Sequence, residues 1–243
     1  MDEALVLADY LPLSYKSAKE QEYIAFLWDA FSINEEREKF QFAFLAYHML
    51  AMSFVYFNVW QIRTAKPRDF SHGLIGFGKE IEKSILDASS PFAFSKVNER
   101  TMLRFLRLIE CDNEKVGKYA KLVDDRNETA HPNGNIFFST PAAFESRIYE
   151  VLRVVSEIQA HSKPVIEQCY RDFLLQSHDE EDREYQGTSD QIREVLIHNN
   201  YLSRKDVDFC MAFDVSLLSG ESQYTNILML HEAVVAEYRG EDE

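Results

Sequence analysis

Apolar side chains recur at helical spacing through most of the chain. Ile24, Leu27, Trp28 and Phe31 lie three to four residues apart, which predicts a helix with one buried face. Val116, Tyr119 and Val123 predict another. Thr140 followed by Pro141 is a good helix start, and Phe144, Ile148, Val151, Val155 and Ile158 then keep one face apolar. Ser203 and Asp206 have the spacing of a capping box, with Asp in place of the usual Glu or Gln, ahead of Val207 and Cys210. Tyr224, Ile227, His231, Val234 and Tyr238 form a last stripe. Few runs alternate polar and apolar residues, and only 8 Gly and 6 Pro punctuate 243 residues. Long helices are therefore expected rather than many short strands, and the predicted fold class is all-α. No internal repeat is evident.

The segment 40–62 departs from this amphipathic pattern, because its 23 residues contain no Asp, Glu, Lys or Arg. As a helix it would span about 35 Å, enough to cross a bilayer. Gln41, His48, Ser53, Asn58 and Gln61 interrupt the run, however, and its aromatic residues are spread along it rather than gathered at its ends. A buried central or dimer-interface helix is the expected reading, with no membrane partner.

A polar, charge-dense run from His178 to Asp190 reads either as a linker or as a charged loop within one domain. The first reading divides the chain into a helical bundle at 1–177, an acidic linker at 178–190 and a C-terminal helical extension at 191–243. Charge follows the same division. Residues 178–243 carry 5 Lys and Arg against 16 Asp and Glu, whereas residues 1–177 carry 21 against 25. Most of the net charge of -15 is thus placed late in the chain, so acidity counts against nucleic-acid binding without excluding it. Cys111, Cys169 and Cys210 form no CxxC pair and fit a reducing cytosol better than a disulfide framework. The N-terminal Met-Asp-Glu-Ala carries acid where a signal peptide needs Lys or Arg, so a cytoplasmic location is expected.

The most specific chemistry lies in 124–134, where Arg126, Asn127, His131 and Pro132 cluster. Pro132 disfavours the α conformation at His131, so a helix should end or bend there. On an unbroken helix Arg126 and His131 would be about 140° apart and could not easily converge. At a helix end, or with a second copy of the motif from a partner chain, they can. Arg126-Asn127-x-x-x-His131 resembles the signature of the HEPN family: Arg, a polar residue that is often Asn, three more residues, then His. The following Pro and Gly and the flanking striped helices are also similar to that family. The specific match covers six positions, and a bundle resembling the family covers about residues 20 to 177.

The resemblance implies a HEPN-like helical bundle that dimerises so that two motifs face each other. It also implies metal-independent endoribonuclease activity, with no cofactor and a 2′,3′-cyclic phosphate product. A toxin or antiviral defence role, with an antitoxin or regulatory protein as partner, is a common setting for the family. Side-chain chemistry agrees. Imidazole is the side chain that ordinarily serves proton transfer at physiological pH, which suits His131 to that role, while Arg126 offers a permanently charged fork to a phosphate. Asn127 would position the motif or the phosphate. The alternative is a helical module that binds RNA, nucleotide or a protein partner without cutting. A surface role, with Arg126 paired to a neighbouring Asp and His131 merely ending a helix, is the bland reading.

Lys96, Arg100, Arg104 and Arg107 fall at helical spacing and predict a basic ridge, followed by Lys115, Lys118 and Lys121. These are the candidate RNA-binding residues, although such ridges are often only solvated faces. The glycine-rich segment 73–78 lacks the order of a dinucleotide-binding fingerprint and reads as a turn. Glu128 and His131 have di-metal spacing, but no second such pair completes a site, and no metal is expected. His48 and His231 sit on apolar stripes and read as core or interface histidines.

Overall fold

The computed structural model describes residues 2–132 and 134–239, and these form an all-α fold with no β-strand among them. Met1, Asn133 and the last four residues of the C-terminal extension lie outside the described residues. The helices are α1 (Asp2–Leu5), α2 (Ala18–Glu36), α3 (Phe40–Ala65), α4 (Pro67–Gly73), α5 (Lys79–Leu86) and α6 (Glu99–Leu103). They continue with α7 (Asn113–Ala130), α8 (Pro141–Ser177), α9 (Thr188–Gln191), α10 (Arg204–Met211) and α11 (Tyr224–Arg239). Short 3-10 segments join several of them, and Ile192–His198 is π-helical.

α3 is the centre of the bundle. It is long and apolar enough to cross a membrane, yet 83% of its most apolar window is buried within this fold. α2, α4, α6, α7 and α8 all pack against it. Phe44, Tyr47, Leu50, Val59 and Ile62 are fully buried, each contributing roughly 1.5–3 kcal/mol of transfer free energy. Of the polar residues that interrupt its apolar run, His48, Ser53, Asn58 and Gln61 are also buried, so each needs a partner. Ser53 Oγ donates to the Met49 carbonyl at 2.8 Å, and Asn58 Nδ2 donates to Ser162 Oγ at 2.5 Å. Tyr47 Oη donates to the Ala4 carbonyl at 3.1 Å and so fixes α1 against the bundle.

Local sequence accounts for the helix ends. Ser17 caps α2 and shares a reciprocal capping box with Glu20. Thr140 caps α8 through the Ala143 N–H, and Pro141 occupies the first turn, where its missing N–H costs nothing. Ser203 and Asp206 form a capping box on α10. The glycine-rich segment is a turn between α4 and α5, and Gly76 takes φ +96°, which L side chains rarely adopt.

Two apolar cores form, and α8 runs through both. The first holds the buried apolar residues from Ala4 to Val165 together with Tyr201, and the second begins at Ile166 and extends to Tyr238 on α11. Pro164 lies just before the change, at a point where the helix loses one N–H donor. The acidic segment after α8 is tied down. Arg183 donates from Nε to the Ser177 carbonyl at 2.7 Å and from Nη1 to Thr188 Oγ1 at 2.9 Å. Gln191 accepts from the Tyr185 N–H and donates to Ser177 Oγ.

Where the cores meet, Asp206 is almost wholly buried. Burial pushes its carboxyl up, and the surrounding donors pull the other way. Its Oδ2 accepts from the Ser203 N–H, Ser203 Oγ and Gln61 Nε2, at 2.8–3.1 Å, and Oδ1 accepts from Gln159 Nε2 at 2.7 Å. One carboxylate thereby links α3, α8 and α10. Asp206→Ala removes the acceptor and strands these donors, so unfolding in urea should show a loss of ~2–4 kcal/mol. Gln159→Ala, which removes a single donor, should cost less. A loss below ~1 kcal/mol for Asp206→Ala would show that the buried knot is not a stability determinant.

Candidate active site at the end of α7

Asp112 caps α7 by accepting the Lys115 N–H at 2.8 Å, and Val116, Tyr119 and Val123 form its buried face. The helix stops at Ala130. His131, ahead of Pro132, takes extended backbone (φ -80°, ψ 142°), and its N–H still bonds the Asn127 carbonyl at 3.1 Å. This end is docked onto the start of α3. Gln41 Nε2 donates to the Thr129 carbonyl at 2.8 Å, and Thr129, itself buried, returns its hydroxyl to the Asp125 carbonyl at 2.7 Å.

Arg126 points across to α6. Its Nη2 lies 2.6 Å from Glu99 Oε2, and that carboxylate also meets Nε2 of the buried His48 at 3.1 Å. A line of three groups, His48–Glu99–Arg126, therefore runs from the core of the bundle to its surface. Burial pushes the Glu99 carboxyl up, but the hydrogen bonds and charges of His48 and Arg126 outweigh it and hold the group below the ordinary carboxylate range.

Arg126 and Asn127 line a cavity of about 870 Å³ between α2, α3, α6 and α7. Its lining is mixed. Tyr23, Tyr56, Phe92, Met49 and Met52 give apolar surface, Lys19, Arg100 and Arg126 give positive charge, and Glu20 and Glu99 give negative charge. Tyr56 lies in its wall, and burial together with the nearby Glu99 charge pushes its hydroxyl up to about 12. Such a space, apolar with cations along one side, suits an amphipathic anion.

The sequence-predicted residues are not all brought together. His131 does not line this cavity; it is exposed at the tip of α7. Within one protomer, Arg126 and His131 therefore share a helix end but not a pocket. The basic ridge is also not a single helical face. Lys96 closes a 3-10 segment, Val97 is extended, Arg100 lies in α6, and Arg104 and Arg107 lie in the 3-10 segment that follows. Arg100 pairs with Asp124, Lys115 Nζ meets His161 Nε2 at 2.7 Å, and Lys118 pairs with Glu157 at 3.3 Å. Arg104, Arg107 and Lys121 are exposed.

Glu99 and Tyr56 were not legible from sequence, since nothing local marks either. His48 is a core histidine, 1% exposed, and also the inner end of the Glu99 line. Among the described residues no group of three His, Cys, Asp or Glu side chains is placed to hold a metal ion.

Glu99 also generates a pH prediction. Its folded-state pKa is lowered, so its contribution to stability is present above the unfolded value of roughly 4.3 and is lost as pH falls through the folded one. Glu99→Gln should be less stable than wild type at neutral pH, and the gap should close on acidification below that value. Urea unfolding of both proteins from pH 3 to 7 checks it, and a gap that stays constant would mean that Glu99 gains nothing from ionising. No protein-family model, curated protein or solved structure matches this chain.

Proposed function

We propose that this chain is a metal-independent endoribonuclease of the HEPN type, acting as a homodimer on RNA. The observation that carries the reading is the end of α7, which turns Arg126 and Asn127 toward a cation-bearing cavity and then stops, leaving the His131 imidazole in solvent. Those are the side-chain types that transesterification needs. The 2′-oxygen attacks the adjacent phosphorus and the bond to the 5′-oxygen breaks. A proton leaves the 2′-hydroxyl and another reaches the departing 5′-oxygen, the transfers that an imidazole of neutral pKa performs. The guanidinium of Arg126 balances charge that builds on the phosphate oxygens. A toxin or antiviral defence setting, with an antitoxin or other regulatory protein, fits such an activity.

Because His131 is outside the Arg126 cavity, the reading requires two copies. An exposed apolar strip supports this. Phe26 and Ile33 on α2 and Phe42 and Met49 on α3 are solvent-facing, and Tyr23 Oη on α2 lies 3.9 Å from Met49 Sδ. The strip ends beside Gln41, the residue that holds the end of α7. A second copy covering it buries apolar surface close to both motifs.

The alternative is a module that binds RNA or nucleotide without cutting, and the same absence of His131 from the cavity favours it. Assay in EDTA separates the two. Wild type should cut RNA but not DNA of the same sequence, leaving 2′,3′-cyclic phosphate. Arg126→Ala and His131→Ala should each slow cleavage by ~100-fold or more, with unchanged circular dichroism. Asn127→Ala should cost less. Light scattering should give a dimer mass, reduced to monomer by Phe26→Glu combined with Phe42→Glu. Cleavage that survives His131→Ala sinks the catalytic assignment, and RNA binding with no cleavage hands the function to the binding module.

A further inference from the structure

Beyond the Arg126 cavity lies a second one of about 860 Å³, formed where the glycine-rich turn after α4 faces the segments around α6. Its lining includes Lys96, Arg104 and Arg107 and no Asp or Glu. That composition is unusual for a chain of net charge -15. Among the described residues Arg104 and Arg107, both exposed, enter no ion pair, and Lys96 Nζ reaches only the neutral Ser84 Oγ, at 2.8 Å. Four other arginines of the bundle are each answered by an acid: Arg100 by Asp124, Arg126 by Glu99, Arg147 by Asp125 and Arg153 by Glu157. Three unanswered cations in a concave site mark a place kept for an external anion.

The opposite wall has complementary chemistry. Gly76 and Gly78 line it, and among the described residues their N–H groups make no hydrogen bond, which leaves main-chain donors beside the cations. The half-buried ring of Phe77 adds a flat apolar surface. Cations, free amides and an aromatic face are what a nucleotide engages through its phosphates and its base. Val97 and Asn98 line both this cavity and the Arg126 cavity, so the two adjoin.

We propose that this cavity binds nucleotide phosphates, with Lys96, Arg104 and Arg107 as the anion-holding groups and Phe77 as the base platform. As a source of those phosphates it takes the strand of RNA whose next phosphodiester lies at Arg126. That assignment of the source rests on the ribonuclease reading; the phosphate chemistry does not.

The test uses full-length protein and a fluorescent single-stranded hexamer of 2′-O-methyl RNA, which the proposed activity cannot cut. Anisotropy is measured across salt concentrations, with ATP as the free-nucleotide arm. Arg104→Gln with Arg107→Gln should weaken binding by about tenfold and flatten the salt dependence by ~1.4, the share of two phosphate contacts on a single strand. Both side chains are exposed and unpaired, so circular dichroism should not change. Arg193→Gln with Lys205→Gln, an equal charge loss on the surface of the C-terminal helices, should leave binding as it was. Hexamer binding lost in the Arg104/Arg107 variant places RNA in the cavity. ATP binding lost there, with the hexamer unaffected, places a free nucleotide in it. Equal weakening by both double variants, or by neither, overturns the proposal. Since no cleavage is measured, an inactive wild type that still shows the expected losses refutes the ribonuclease reading alone.

Discussion

The constraint on which this architecture depends is the need to keep α3 out of water. A 26-residue helix whose only Lys or Arg is Arg63, near its end, needs neighbours along most of its surface. The rest of the first core follows. α2 and α8 take the two largest shares of its surface, α7 closes another, and the short segments around α4 and α6 fill what remains. Polar residues inside such a helix are costly unless paired, and on α3 they are paired across helices, to α6 through His48, to α8 through Asn58 and to α10 through Gln61. The apolar residues hold the bundle together, and the few polar ones fix how the helices are aligned.

The candidate site is a by-product of this arrangement. α7 must lay Val116, Tyr119 and Val123 on the core, which turns Arg126 toward α6. There it meets Glu99, fixed by His48 from within α3. The position of the guanidinium is therefore set by a residue of the central helix two contacts away. Net charge misleads here, because the excess of acid over base lies largely in the C-terminal quarter, while Lys96, Arg104 and Arg107 line one cavity that has no Asp or Glu in its lining.

Much of the fold was legible from spacing alone. The stripes on α2, α7, α8 and α11 are the buried faces, Thr140-Pro141 starts α8, and Ser203 with Asp206 caps α10. These features are local, so the chain writes them within a turn or two. The charge-free run becoming a covered central helix was also readable, because its polar residues are too many and its aromatics too dispersed for lipid. What spacing could not show is long-range. His48 and Glu99 are 51 positions apart, and Gln61 and Asp206 are 145. The basic residues 96–107 looked like one helical face because periodicity does not register a single extended residue. Val97 and the Asn98 cap break the run, and Lys96, Arg104 and Arg107 end up around a hollow instead of along a ridge. Likewise the motif shows that α7 ends at His131, but not that the imidazole is left outside the cavity that Arg126 enters.

The contact between Glu99 and Arg126 has one more consequence. The guanidinium always has a counter-ion, so any anion entering the cavity arrives by exchange and not by simple addition. Weak or singly charged anions gain little over the carboxylate already in place, whereas a group presenting several oxygens to the fork can displace it. The displaced carboxylate remains beside His48, which softens the cost of the exchange. Under the proposed function, Arg126 would thus set a threshold, fixed by a neighbour from another helix, that favours strong oxyanions over the chloride and carboxylates of ordinary solution.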